Sequence, residues 1–194
     1  MKCGKQLEHN QAELCTNCSR YSFSFDRGFS LYPYNEVLQE SLSALKYENR
    51  QSFARFYANR LYERFGDTMA ALGIRLLIPV PVHPDRLRQR GYNQAGLIAR
   101  HLSERSGIQL SEDFLIRTRK TAAQKELSPA ERRKNLADAF GTDPASRPDP
   151  DRLSAVALID DIYTTGSTAD ACARVLKKAG VRHVFVFTVA SGGL

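Results

Sequence analysis

Residues 156–171 read VALIDDIYTTGSTADA: an apolar run, two adjacent carboxylates, then a turn of hydroxyls around one glycine. Carboxylates suit cations and hydroxyl groups, whereas a glycine-hydroxyl turn suits anions, so their order along the chain decides how the two meet. Val156, Ala157, Leu158 and Ile159 have the length and branching of a strand buried on both faces. That places Asp160 and Asp161 at the strand's carboxyl end. From Thr168 onward, Cys172, Val175, Leu176 and Ala179 recur at helical spacing, and Gly180 stands where a helix ends on a left-handed residue. The polar segment is therefore a strand-to-helix turn. In it Thr164, Thr165, Gly166, Ser167 and Thr168 offer consecutive backbone N–H groups, short hydroxyls and a helix N-terminus whose dipole favours an anion. Two carboxylates beside an anion repel it unless they face a sugar's hydroxyls or a divalent cation that also touches the ligand. The combination specifies a phosphorylated sugar, accompanied by Mg²⁺.

Three other readings compete. The run ALIDD suits the metal-binding strand of a nucleotide hydrolase, but no G-x-x-x-x-G-K-[ST] spacing occurs to hold such an enzyme's phosphates. In a phospho-accepting receiver domain the acidic pair should fall early in the sheet, and the glycine-hydroxyl turn would go unexplained. The plainest alternative is a capped turn whose acids only favour the helix dipole.

The elements that must position this turn can be read from periodicity. DRGFSLYPYN has the pattern of a strand with a turn, and EVLQESLSALKY and RQSFARFYANRLYERF have helical patterns. A strand, RLLIPVPV, precedes an amphipathic helix marked by Ala95, Ile98 and Leu102 that ends at Gly107. DFLIRTR is a shorter strand candidate, and a helix is expected to start near Ser128-Pro129. Residues 141–152 carry three Pro and three Asp and read as an exposed loop; HVFVFTVA is the last strand. Strands alternating with helices imply a mainly parallel α/β sheet with helices on both faces, and ligands of such sheets sit at the carboxyl ends of strands.

Composition bounds the classes. A chain of 194 residues, 42% hydrophobic and 25% charged, can bury one sizeable core and carry a small appendage, which excludes intrinsic disorder as the default. No apolar stretch approaches the roughly 20 residues of a membrane span, and MKCGKQLEHNQ lacks the apolar centre of a signal peptide. No membrane insertion and a cytoplasmic location are expected. The net charge of +7 is local: residues 85–90, DRLRQR, contribute +2 and residues 117–134 contribute +5. Such a local excess is what an anion site or a nucleic-acid footprint needs, although for residues 129–138 a solvated helix face explains the charge as well.

VALIDDIYTTGST resembles the ribose-phosphate signature of type I phosphoribosyltransferases. The order PVPVHPDRLRQRGYNQA, RTRKTAAQKELSPAERRKNLADAF and then that signature resembles, over essentially the whole chain, the ComF family, associated with DNA uptake in competence, and the related GntX proteins. The resemblance implies a phosphoribosyltransferase-like fold in which Asp160 and Asp161 hold ribose hydroxyls and Thr164 to Thr168 hold the 5-phosphate of phosphoribosyl pyrophosphate with Mg²⁺. Pro79 to Pro81 would form the pyrophosphate-side loop. It also implies a role in DNA uptake or use, with single-stranded DNA and proteins of the competence machinery as candidate partners. The alternative is an active phosphoribosyltransferase of nucleotide metabolism whose acceptor is unidentified; no residue stands out as its general base. Arg86, Arg88 and Arg90 would share one face if RLRQR is extended, there to clamp pyrophosphate or DNA phosphates; a surface role is the alternative. Lys46 matches a lysine of the family pattern and equally suits a helix C-terminus. Asn93 reads as a helix cap, and His83 and His101 as structural or surface residues.

Three of the four cysteines fall in the first eighteen residues, a segment too poor in large apolar groups to bury a core without a staple. Relatives of the ComF type begin with two C-x-x-C pairs that hold zinc. Here Cys15 and Cys18 supply one pair, while Cys3 stands alone and its partner would fall before Met1. Either the sequence starts late, or another group such as His9 or a residue upstream completes a tetrahedral zinc site; three thiols without metal are the alternative. The expected division is residues 1–22 as an incomplete zinc-knuckle-like segment and 23–194 as the phosphoribosyltransferase-like domain. Cys172, on the apolar face of the last helix, is expected in the core.

Overall fold

The computed structural model describes residues 2–4, 15–119, 136 and 138–192. The expected helix near Ser128-Pro129, most of the basic segment 117–134 and His9 lie outside the described residues.

Apolar runs with no alternation make strands that can sit only between two layers. Strand β6, Ala155–Tyr163, and β7, His183–Ser191, are such runs and pair in parallel at the centre of a five-stranded sheet. β1, Arg27–Pro33, flanks β7; β2, Leu76–Pro79, flanks β6; and β3, Gln109–Leu110, closes the other edge, all in parallel. The order is β1-β7-β6-β2-β3. β4, Leu115–Arg117, and β5, Phe140–Thr142, form a separate antiparallel pair, so β5 occupies the start of the segment expected as loop. Two short 3-10 turns, Pro144–Ser146 and Pro150–Leu153, take up its remainder.

Side chains of β6 alternate between the two faces. Val156 and Leu158 pack with Cys172 and Leu176 of helix α6, Ser167–Lys178. Ala157 and Ile159 pack with Leu61 of α3, Ser52–Ala71, and Ile98 and Leu102 of α5, Gln94–Ser106. Each fully buried leucine of these layers contributes about 1.5–3 kcal/mol of burial. The remaining helices, counted in chain order, are α1, Thr16–Arg20, α2, Glu36–Tyr47, and α4, Pro84–Arg90. Asn93 caps α5 as expected, its Oδ1 accepting from the Ala95 N–H at 3.1 Å, and Cys172 is fully buried.

The condition under which Arg86, Arg88 and Arg90 would share one face is not met. RLRQR is helical, closed by Gly91 at φ 79°, because His83 caps its start and Pro84 takes the first position, where its missing N–H costs nothing. At about 100° per residue, Arg86 and Arg90 share a face one turn apart, and Arg88 turns away to Asp85 at 2.5 Å.

The free edge of β1 is covered by the N-terminal segment. The Gly28 N–H donates to the Lys2 carbonyl at 2.7 Å. A β-carbon on Gly28 would stand 2.6 Å from the Cys3 carbonyl oxygen, so only glycine permits that approach. The cover pairs that edge at Gly28 and carries Cys3 to the core.

Candidate functional site

The parallel register brings the carboxyl ends of all five strands to one side of the sheet, and the polar groups gather there. β6 carries Asp160 outward on the α6 face and Asp161 on the α5 face, by the same alternation that buries their apolar predecessors. The two stay in touch: the Asp161 N–H donates to Asp160 Oδ1 at 2.9 Å. Lys46, in the last turn of α2, bonds the Asp161 carboxylate across the sheet edge.

Two chemically identical neighbours thus have opposite electrostatics. Burial, and then the Asp161 charge, push the Asp160 carboxyl well above the usual carboxylate range. Burial also acts on Asp161, but the Lys46 ammonium overrides it and holds Asp161 below that range. Lys46 is correspondingly raised: burial opposes its charge and Asp161 more than restores it. Asp161 is committed to Lys46, so Asp160 is the carboxylate left to receive hydroxyl donors or a cation.

After Tyr163 the chain turns sharply. Gly166 has φ 83°, and a β-carbon there would sit 2.3 Å from the Tyr163 hydroxyl and 3.1 Å from Phe23, so glycine is required twice over. Thr165 and Ser167 hydroxyls bond each other at 2.9 Å, and Ser167 begins α6 with no side-chain cap from Gly166. Asp160, Thr164, Gly166 and Thr168 line one shallow cup with Thr188 of β7. That sequence segment is a strand-to-helix turn, and the cup joins one carboxylate to the N-terminal end of a helix. Pro79 ends β2 beside Ile159, and the Val80 N–H donates to the Ile159 carbonyl at 2.9 Å, so Pro79 to Pro81 leave the sheet next to the Asp pair.

The arginines divide. Arg117 of β4 lies within electrostatic range of Asp160, its guanidinium over the Phe140 ring at 5.4 Å. Burial, and then the nearby Arg86 charge, lower its proton affinity. Sequence reading counted Arg117 only as part of a basic run; its position at the end of a short strand was the available signal. Arg90 points to another place, over the Tyr47 ring at 4.8 Å. Arg88 is exposed and joins neither group.

On the far side of the turn lie three thiols. The sulfur atoms of Cys3, Cys15 and Cys18 are all within 4.8 Å of one another, with Cys3 and Cys15 at 3.5 Å. Tetrahedral zinc with bonds of about 2.3 Å separates its sulfurs by about 3.8 Å, so the trio fits three corners of such a site. Burial and the neighbouring thiols push Cys18 up, the expected cost of crowding thiolates without a cation. The Tyr163 hydroxyl is buried and neighbours the same cysteines, and burial first and then their charges push it up.

A parallel sheet layered by helices on both faces, with a carboxylate pair and a glycine-hydroxyl turn at its carboxyl edge, defines an α/β protein with a candidate ligand site at the ends of its strands. No family model matches the chain. It is similar to Competence protein F of Haemophilus influenzae, 34% identical over 191 residues, which cover 97% of this chain and 82% of that protein. It is similar to DNA utilization protein YhgH of Escherichia coli O157:H7, 29% identical over 96% of this chain and 81% of that one. Competence protein ComFC of Bacillus subtilis is 26% identical over 91% and 71%. The chain belongs to the ComF family. No helix among the described residues is long and apolar enough to cross a membrane.

Proposed function

We propose that this chain binds phosphoribosyl pyrophosphate or a related ribose phosphate with Mg²⁺ and acts in the cytoplasm in DNA uptake or utilisation. The observation that carries the reading is the cup in which Asp160 meets Thr164, Gly166 and Thr168 at the start of α6. In this reading the turn N–H groups and hydroxyls take the 5-phosphate, and Asp160 accepts from the ribose hydroxyls or contacts the cation. Mg²⁺ commonly uses one or two carboxylates plus ligand phosphates, which matches a site where Lys46 has claimed Asp161. Arg86 lies close enough to Arg117 to add to the burial that lowers the Arg117 proton affinity, an arrangement that a pyrophosphate anion between them would relieve. The names of the similar proteins support the competence and DNA-utilisation role; single-stranded DNA and competence proteins are the partners this reading proposes. Zinc on Cys3, Cys15 and Cys18 would hold the segment 1–22 onto the domain 23–194.

The test is calorimetric titration with phosphoribosyl pyrophosphate, with and without Mg²⁺, on wild type and Asp160→Asn. Magnesium-dependent binding that weakens at least tenfold in the variant supports the site; no binding to wild type removes it. Binding of single-stranded DNA that falls with salt and survives Asp160→Asn would place DNA on a separate basic surface.

An active transferase is the second reading, favoured by the cleft that opens beside Lys46 and has room for an acceptor. Pyrophosphate release that requires an added acceptor would establish it.

A further inference from the structure

Tyr163 places a hydroxyl in an otherwise apolar layer. It is buried with Val156 and Leu158, and its ring meets Phe25 edge-on. Phenylalanine would serve that packing without taking an oxygen out of water. The oxygen has two neighbours that a phenylalanine would not reach. On one side are the thiols of Cys3, Cys15 and Cys18, of which Cys3 acts on it most. On the other is Gly166, where a β-carbon would stand 2.3 Å from the oxygen. One hydroxyl therefore joins the thiol cluster to the glycine-hydroxyl turn.

Gly166 also governs the start of α6. Its carbonyl accepts from the Asp170 N–H at 2.8 Å, the first hydrogen bond of that helix. The Asp170 side chain accepts from the Ser24 N–H at 2.7 Å. Phe23 lies 3.1 Å from the position of a Gly166 β-carbon, and its own carbonyl accepts from Lys2 Nζ at 3.0 Å. Residues 2–3 and 23–24 thus bear on Gly166 and Asp170 from the segment that the thiols close. Gly166 belongs to both regions, because it lines the cup with Asp160, Thr164 and Thr168. A cation on the three sulfurs would make them thiolates, which are stronger hydrogen-bond acceptors than thiols. The Tyr163 hydroxyl would then have an acceptor that fixes it beneath Gly166.

We propose that Tyr163 is a positioning residue for the Thr164–Thr168 turn and couples it to the thiol cluster, so that zinc on Cys3, Cys15 and Cys18 and a ribose phosphate at the turn strengthen each other's binding. This rests on the ribose-phosphate reading above and adds the regulation of that site. In one state the hydroxyl is bonded to a thiolate and the turn is held; in the other the hydroxyl is released and the turn shifts. Linkage makes the effect reciprocal: the factor that zinc adds to ligand affinity is the factor that ligand adds to zinc affinity.

The test is calorimetric titration of phosphoribosyl pyrophosphate with Mg²⁺ into zinc-loaded protein and into protein stripped of zinc by a chelator and dialysed. Wild type should bind about fivefold or more tightly when loaded, the lower end of usual couplings between sites. Tyr163→Phe should retain its zinc by elemental analysis and bind the ligand equally in both states. A residue that only fills space would lower both affinities and leave their ratio alone. A wild-type ratio of one, an unchanged ratio in Tyr163→Phe, or a chain that takes up no zinc therefore overturns the inference and leaves the ribose-phosphate site standing. The reverse titration starts from loaded protein and decides the matter if stripping unfolds the chain. The chelator concentration that removes half the zinc should rise about fivefold or more with ligand in wild type, and not in Asp160→Asn or Tyr163→Phe; equal chelator demand throughout overturns the coupling. If phosphoribosyl pyrophosphate does not bind wild type, the earlier reading fails, and amide hydrogen exchange decides whether Tyr163 joins cluster and turn. Zinc should slow exchange at residues 164–168 in wild type and not in Tyr163→Phe; the same response in both overturns it.

Discussion

Asp160 and Asp161 are indistinguishable in sequence and opposite in the folded protein, because Asp161 bonds the Lys46 ammonium and Asp160 does not. The consequence is a pH dependence with a definite sign. Asp160 is raised on folding, so its contribution to stability is present below the unfolded value of about 3.9 and lost as pH rises through the folded value. Asp161 is lowered, so its contribution is present above the unfolded value and lost as pH falls through the folded one. Asp160→Asn should therefore gain on wild type as pH rises, reaching about 1 kcal/mol near neutrality, while weakening ligand binding. Urea midpoints measured between about pH 4 and about pH 8 check this; midpoints that move in parallel would refute it. Gly166 carries the second prediction at this scale. Gly166→Ala must place a methyl on the Tyr163 hydroxyl at φ 83° and should cost about 2 kcal/mol or more. Tyr163→Phe should recover part of that loss, since it removes the nearest atom but keeps the ring carbon at 2.8 Å. Additive losses would show that the contact is not the cause. The residue types at 160–168 were legible in the sequence, as were the strand before them and the helix after. The Lys46 contact and the Tyr163 clash were not, because both depend on which distant side chain the fold delivers.

Periodicity gave strand and helix positions correctly where one face had to be buried: β6, β7, α5 and α6 follow from apolar spacing alone. It left RLRQR open because a short exposed segment has no buried face to set its period, and there Pro84 and the His83 cap decide for helix. Helical geometry separates three arginines that an extended chain would have grouped. Arg86→Ala should weaken phosphoribosyl pyrophosphate binding about tenfold, the loss of one charged contact at roughly 1.4 kcal/mol, with Arg117→Ala behaving alike. Arg88→Ala, which removes only an exposed pair with Asp85, should bind as wild type does, because such pairs contribute about 0–1 kcal/mol to stability and touch no ligand. Equal losses in Arg86→Ala and Arg88→Ala would mean that the helix does not sort these charges as described.

Across the whole molecule, the N-terminal segment is not an appendage on a tether. Its cysteines 3 and 18 are buried in the same apolar layer as Val156 and Leu158. Phe23 and Phe25 stack at 5.1 Å, Phe25 meets the Tyr163 ring edge-on, and the Ser24 N–H donates to Asp170 in the first turn of α6 at 2.7 Å. The floor of the cup is thus built from the segment that the thiols close. Three thiols this close, two of them buried, cannot all ionise without a cation, so metal and fold should be linked, with binding free energy appearing as stability. Protein purified without chelator should carry about one zinc per chain. Removing it should lower the unfolding temperature by about 5 °C or more, as roughly 2 kcal/mol does in a domain of this size. Cys18→Ser should do the same and lose the metal. Tyr163→Phe should keep the metal, because it removes a neighbour of the thiols and not a thiol, which separates loss of the ligand set from loss of packing beneath Gly166. Elemental analysis alongside a melting curve reads both quantities on one sample. Protein that purifies free of zinc and melts at the same temperature with and without chelator would leave the segment held by the aromatic stack and the Lys2–Gly28 pairing alone.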